Sequence, residues 1–435
     1  MPRSSGIHLT EGTSISPESY SMSIRIFSAD GREVDISRIV ASVTIYESIY
    51  QSVLMADVDI GEGTGLMEDL NITGNEKISI SIDKQMDKES EVIILQSDWY
   101  VLDIPMFGRP KPDMQAYRIR CISPFGLVSK FKRVDYSISG TPIEILKALY
   151  NNLGTDIDVR TDSSLGIMRY YPNRKTYSEV ISSILNKTMT PNGTPFFVYQ
   201  TLLDNAYILD SYYNMISKEN YDSYTQSYFY TSESQTESSF EEKRKRILSI
   251  SSKLGFSPYN SMKYGSYITR THTLDWSTKD YKTFDYNSFE DIPPMIDGKD
   301  SDQVWNQDFN ISGLSPNNLT EVNNIYVPLN QFALIENNEF NCHQFTQYKE
   351  AVRQSIIANM EQLEHTIRLY GDARLSCGSI IDINLSKLGL STESESINDS
   401  MLSGRYLVVS NTHVFNNDGY YMSLKIRRDS VHKRT

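Results

Sequence analysis

Apolar residues recurring at every second position are the feature that most restricts this chain, because a period of two places them on one face of a β-strand. The closing stretch has it most cleanly. Tyr420, Met422, Leu424 and Ile426 share one face, while Tyr421, Ser423, Lys425 and Arg427 share the other. The same alternation runs through Met22, Ile24 and Ile26, through Val43 and Ile45, and through Val53, Met55, Val58 and Ile60. It returns at Ile78, Ile80 and Ile82, and Trp99, Val101, Tyr117, Ile119 and Cys121 mark two further strands. Turn signals separate these runs: Asp30-Gly31, Gly74-Asn75 and Asn417-Asp418-Gly419. Short strands at this spacing predict closed or nearly closed β-barrels, which remove exposed edges.

A helical period breaks the pattern in a few places. Thr141, Pro142 and Glu144 form a capping box with a proline at the first helical position, and Gly154 ends that helix. Ile143, Leu146, Leu149 and Leu153 are its predicted buried face. Thr176 and Glu179 repeat the device, with Val180, Ile181, Ile184 and Leu185 turned inward. A third helix is predicted from Phe345 to Met360, running into a strand with Leu363, His365, Ile367 and Leu369. The division that follows has five parts. Residues 1–16 are a flexible arm, 17–130 a first tube-type barrel, and 131–216 a small α+β domain. Residues 217–340 are an insertion or extended segment partly packed on a partner, and 341–435 a second tube-type barrel with a basic C-terminal tail. The fold class expected is mainly β with α+β insertions.

Charge narrows the function classes. Lys and Arg number 42 against 55 Asp and Glu, a formal net charge of −13, so the chain as a whole lacks the basic footprint of a phosphate binder. A channel through which DNA only slides remains compatible, and an acidic lining would repel its phosphates. The basic tail, Lys425, Arg427, Arg428, Lys433 and Arg434, reads either as solvated or as a dock for an acidic neighbour. EEKRKR at 241–246 reads as a solvated charge run. No secretory leader or apolar membrane span is expected.

Motifs of catalysis do not stand out. There is no phosphate-binding glycine loop, no HExxH and no GxSxG. Cys121, Cys342 and Cys377 are too sparse for a disulfide framework or a zinc site. Cys342-His343 is an adjacent pair, but adjacency in sequence does not supply the geometry of a catalytic dyad, and His365 and His413 read as satisfied strand residues. Glu62, Glu68, Asp69 and Glu76 gather near glycines, but loop acids are common in so acidic a chain. No cofactor, metal or catalytic residue is expected.

Three stretches carry a resemblance. In ESIYQSVLMADVDIGEGTGLMEDLNITGNEKISISI, 47–82, an E-S-hydrophobic strand leads to a turn at Gly74, Asn75 and Glu76, with Asn71 where a proline is usual. In LEHTIRLYGDARLSCGSIIDINL, 363–385, Gly371, Asp372, Leu375, Gly378 and Ile381 hold the spacing of a paired-strand motif. The closing hairpin, 403–430, is the most specific, with Gly404, Tyr406, Val408, His413, Tyr421, Lys425, Arg428 and Asp429. Together they resemble the baseplate central hub proteins of contractile-tailed bacteriophages, in the tail-tube and VgrG-like hub superfamily. Segment 217–340 has no counterpart in the resemblance.

The resemblance implies a homotrimer in which two similar barrels per chain make a pseudo-sixfold ring. That ring would adapt a sixfold tail tube to a threefold spike and let DNA pass. The implied partners are a central spike protein, which in some systems carries a lysozyme, tail-tube or tube-initiator proteins, and baseplate wedge proteins. DNA is met only in transit. The implied place is the virion baseplate, assembled in the host cytoplasm. Two alternatives stay open: a tail-tip hydrolase of cell wall or polysaccharide, and the spike hub of a related contractile secretion or bacteriocin machine.

Overall fold

The computed structural model describes residues 16–74, 76–85, 92–161, 163–217, 226–230, 240–255, 257, 263–276, 279–291, 293–296, 301–302, 313, 323–329, 346–386, 399 and 401–432. Expectations for Asn75, Cys342, His343, Lys433 and Arg434, and for residues 1–15 of the arm, lie outside the described residues.

The first strand set is β1 (Ser21–Phe27), β2 (Glu33–Asp35), β3 (Val40–Ser48), β4 (Met55–Glu62), β5 (Lys77–Gln85), β6 (Val92–Lys111) and β7 (Met114–Ile122), with a short α1 (Leu66–Asp69) after β4. Helix α2 (Pro124–Phe131) leads into a small α+β unit of β8 (Ile138–Gly140), α3 (Pro142–Asn151), β9 (Ile157–Val159), β10 (Met168–Tyr170), α4 (Tyr177–Asn186), β11 (Phe196–Gln200), β12 (Tyr207–Ser211) and α5 (Tyr212–Ile216). Then come β13 (Gln226–Tyr230), α6 (Phe240–Arg244), β14 (Ser249–Leu254), β15 (Ile268–Asp275), β16 (Tyr281–Asn287), β17 (Ser301–Asp302), β18 (Asn324–Leu329) and α7 (Thr346–Met360). The chain closes with β19 (Leu363–Tyr370), β20 (Ile380–Leu385), β21 (Gly404–Asn416), β22 (Gly419–Arg428) and β23 (Val431–His432).

The architecture is mainly β. Its centre is a 13-stranded sheet in the order β14-β19-β22-β21-β3-β4-β7-β6-β5-β1-β2, with β13 and β20 attached at β21. The two strand sets expected as separate barrels are therefore joined. Strand β21 pairs antiparallel with β3, from Ser410 opposite Ser48 to Asn416 opposite Ser42. Length makes this possible: β21 has 13 residues, enough to serve β20, β22 and β3 together. Joining also satisfies two edges that would otherwise be open. The cores are joined as well, since Ile24, Ile45, Val58 and Ile80 pack in one cluster with Ile367, Ile383, Met422 and Leu424. Each of these side chains is fully buried, so the period-two reading of the core faces holds at these positions.

Described parts of segment 217–340 take part in the sheet. Strand β13 runs parallel to β20, and β14 antiparallel to β19, so both complete the second half of the sheet. Strands β15, β16 and β18 form a separate three-stranded sheet. Tyr267, just before β15, exchanges hydrogen bonds with Gln362 next to α7. The two capping boxes in the small unit form as expected, at Thr141–Glu144 and Thr176–Glu179. The first helix buries Ile145 and Tyr150 beside Leu146 and Leu149, leaving Ile143 and Leu153 at the rim.

Candidate functional site

The residues singled out in the sequence meet at buried polar joints between distant segments. The first joint centres on Glu47, in β3. Its carboxylate accepts the backbone N–H of Leu202, from the small unit, at 2.5 Å and that of Cys377, from the second half, at 3.2 Å. Glu47 is 2% exposed, and His413 Nε2 lies 3.5 Å from its Oε1. The other ring nitrogen of His413 shares a 2.7 Å hydrogen bond with the Tyr420 hydroxyl. A buried carboxylate is costly unless such donors replace its water. One side chain thus ties three parts of the chain together.

Glycines let aromatic rings close on this joint. The Gly371 N–H donates to the Tyr420 carbonyl, and a Cβ on Gly371 would lie 2.1 Å from the Tyr420 ring. Gly378 has φ +83°, and a Cβ there would lie 2.4 Å from the Tyr199 hydroxyl. Phe415 stacks on Tyr420 at 4.2 Å. Asp372, 2% exposed, accepts the Arg374 guanidinium at 3.1 Å, and Arg244 reaches it at 3.8 Å. Arg244 belongs to the EEKRKR run, which is therefore not simply a solvated face.

The Tyr420 ring also faces the start of the described chain. The Tyr420 N–H donates to the Glu18 carbonyl, and the Tyr20 hydroxyl donates to the Asn416 carbonyl. The buried Lys84 ammonium donates to the carbonyls of Pro17 and Ser19. Burial pushes its pKa down from 10.5 to about 8. Residues 16–20 are thus strapped across the β21–β22 turn.

The second joint holds Tyr406 and Arg428. The His365 ring lies between the Ser252 hydroxyl at 2.7 Å and the Tyr406 hydroxyl at 3.0 Å. The Tyr406 hydroxyl donates its own hydrogen bond to the Leu402 carbonyl. Arg428, 1% exposed, donates to the Ser403 carbonyl at 2.9 Å. Burial, and after it the Arg428 charge, push the His365 pKa down from 6.5 to about 4, so the imidazole is neutral near pH 7. Asp429 makes a third tie, accepting the Tyr212 hydroxyl and the Ile296 N–H. Gly404 enters β21 with φ +129°, a conformation that suits glycine.

The turn at Gly74 and Glu76 closes on itself. Gly74 has φ +103°, and the fully buried Glu76 carboxylate accepts the N–H groups of Thr73 and Gly74, each at 2.7 Å. Glu62 caps its own loop in the same way, taking the Thr64 N–H and hydroxyl and the Leu66 N–H. Burial pushes its pKa up, but those hydrogen bonds outweigh it and hold the carboxyl below its ordinary value. Glu68 accepts from Arg109 and Gln115. Glu62, Glu68 and Glu76 are thus engaged by structural partners, while Asp69 is exposed. The basic end is occupied too: Arg427 pairs with Glu364 at 2.7 Å, Lys425 lies 3.6 Å from it, and Arg428 is buried.

The solvent face of the joined sheet balances its charges. Asp57 pairs with Arg120 at 3.1 Å and Asp59 with Arg118 at 2.6 Å across β4 and β7. Near the β3–β21 seam a groove of about 400 Å³ is lined by Tyr46, Gln51, Asp57, Arg120 and Thr412 among others. Glu47 is a joint residue that the sequence reading passed over, as are Lys84, Ser252 and Tyr212. For Glu47, its place in the E-S-hydrophobic strand was the available signal.

No family model matches the chain, and no curated protein matches it in sequence. Solved structures match it in fold. A tail protein from Neisseria meningitidis MC58 superposes with a TM-score of 0.53 at 12% identity, over 94% of this chain and 97% of that one. The 43 kDa tail protein of prophage MuSo2 from Shewanella oneidensis gives 0.52 at 9% identity, over 94% and 99%. The chain shares the fold of these two tail proteins.

Proposed function

We propose that this chain is a structural subunit of a phage-type tail baseplate, acting as its central hub. In this reading three copies form a pseudo-sixfold ring, matching a sixfold tube on one face and a threefold spike on the other. The supporting observation is the joined sheet. Two strand sets of similar size stand side by side through β3 and β21, so each chain offers two neighbouring, comparable units to a ring. Three chains then offer six, by closed cyclic symmetry. The balanced face of the sheet suits DNA in transit, giving phosphates no strong basic site to bind. The spike, tube-initiator and wedge proteins would be its neighbours, within a virion assembled in the host cytoplasm. The role is one of assembly and not catalysis.

Light scattering on the purified full chain tests the ring. The expected mass is three times the 49.8 kDa of one chain. A monomer at every concentration, with and without a co-expressed spike protein, would refute the trimer.

A further inference from the structure

The small α+β unit carries a feature that the joints do not use. Two segments lie side by side at its surface: the end of α2 and the loop that enters α4. The Val134 N–H donates to the Lys175 carbonyl, the Tyr177 N–H to the Lys132 carbonyl, and the Arg133 guanidinium to the Arg174 carbonyl at 2.9 Å. Val134 is fully buried and anchors the pair. Asn173 and Arg174 both take positive φ, 52° and 58°, so the loop turns sharply beside the helix end.

This pairing gathers Lys132, Arg133, Arg174 and Lys175 in one exposed patch, in a chain of net charge −13. Two rings stand in the same segments: Phe131 is 74% exposed and Tyr171 60%. Large exposed rings beside cations are the residue types that dominate binding energy at protein interfaces. The acids nearby are few. Asp135 is exposed, and Glu179 is committed to its capping box, with Arg133 and Lys175 close enough to help hold its carboxyl ionised.

We infer that this patch is a docking surface for an acidic segment of a protein partner, its carboxylates meeting the four cations and an apolar side chain covering Phe131. Charge complementarity is the argument for acidity. The exposed rings of Phe131 and Tyr171 among the cations favour a polypeptide, whose apolar side chains can cover them, over a phosphodiester backbone or a lipid headgroup layer. The inference does not depend on the hub reading, because the patch lies outside the joined sheet.

The test uses the intact chain and three probes: a fluorescent peptide rich in Glu and Asp with Leu and Trp, a short DNA duplex, and phosphatidylglycerol vesicles. The peptide is expected to bind, more weakly as salt rises. The double variant Lys132→Glu with Lys175→Glu should weaken it by roughly tenfold or more, and Phe131→Ala should weaken it without changing the salt dependence. All three side chains are exposed, so the thermal unfolding of both variants should match the parent. Tighter binding of the duplex or the vesicles than of the peptide would overturn the inference. So would peptide binding that survives the charge reversal.

Discussion

Mild acid is expected to loosen the second half of the sheet through His365. The imidazole is fully buried, and both its nitrogens are engaged by hydroxyls, Ser252 from β14 and Tyr406 from β21. Burial first, and the Arg428 charge second, lower its pKa from 6.5 to about 4. The sign follows from which state takes the proton. Above the unfolded value both states are neutral and the folded chain keeps its full stability. As pH falls below 6.5 the unfolded imidazole takes up a proton that the folded one refuses, so stability drops until the folded group titrates. Each unit is worth 1.36 kcal/mol, so the loss is about 2 kcal/mol at pH 5 and about 3 kcal/mol near pH 4. The assay is urea unfolding of the parent and of His365→Gln at about pH 7.5 and about pH 5. Glutamine can still meet both hydroxyls but does not titrate. Its own cost, present at both pH values, cancels in the comparison. The parent should lose about 2 kcal/mol more than the variant between the two conditions. Equal losses would refute the assignment of the proton to His365.

Three further outcomes follow from the joints. Gly371→Ala should cost about 3 kcal/mol, because its Cβ would enter the Tyr420 ring, and Tyr420→Leu in the same chain should restore part of it in thermal unfolding. Glu47→Gln should cost about 2 kcal/mol, since an amide cannot accept from Leu202 and Cys377 with both its heavy atoms, and hydrogen exchange should quicken at those two N–H groups. Lys84→Met should change global stability by no more than about 1 kcal/mol, as relief of a buried charge offsets the lost hydrogen bonds. The same change should speed proteolysis around residues 16–20, which the ammonium holds.

What could be read from the sequence was local. The hairpin of β21 and β22 was legible because Met422, Leu424 and Ile426 alternate with polar residues over an unbroken run, and a one-residue slip would expose all three. The capping boxes at Thr141 and Thr176 were legible because both partners lie three residues apart. The β3–β21 seam was not, since nothing near residue 45 marks a partner near residue 413. Strand β14 was missed for a related reason: its SISSKL carries no apolar alternation, and it is placed by backbone pairing with β19.

Glu47 is the sharper case. A glutamate in an acidic chain reads as a surface residue until its hydrogen-bond partners are known, and these lie 155 and 330 residues away. Burial of a carboxylate is decided by which donors the fold delivers to it, a property of the assembled tertiary structure. The family resemblance pointed to the right strand, but for a reason that periodicity alone does not contain. Glu47 marks the place where the first half, the small unit and the second half must arrive together. A chain that joined its two strand sets in another register would leave that carboxylate buried without its donors. The cost of such an orphaned charge, several kcal/mol, makes the joint a check on correct assembly as well as a fastening.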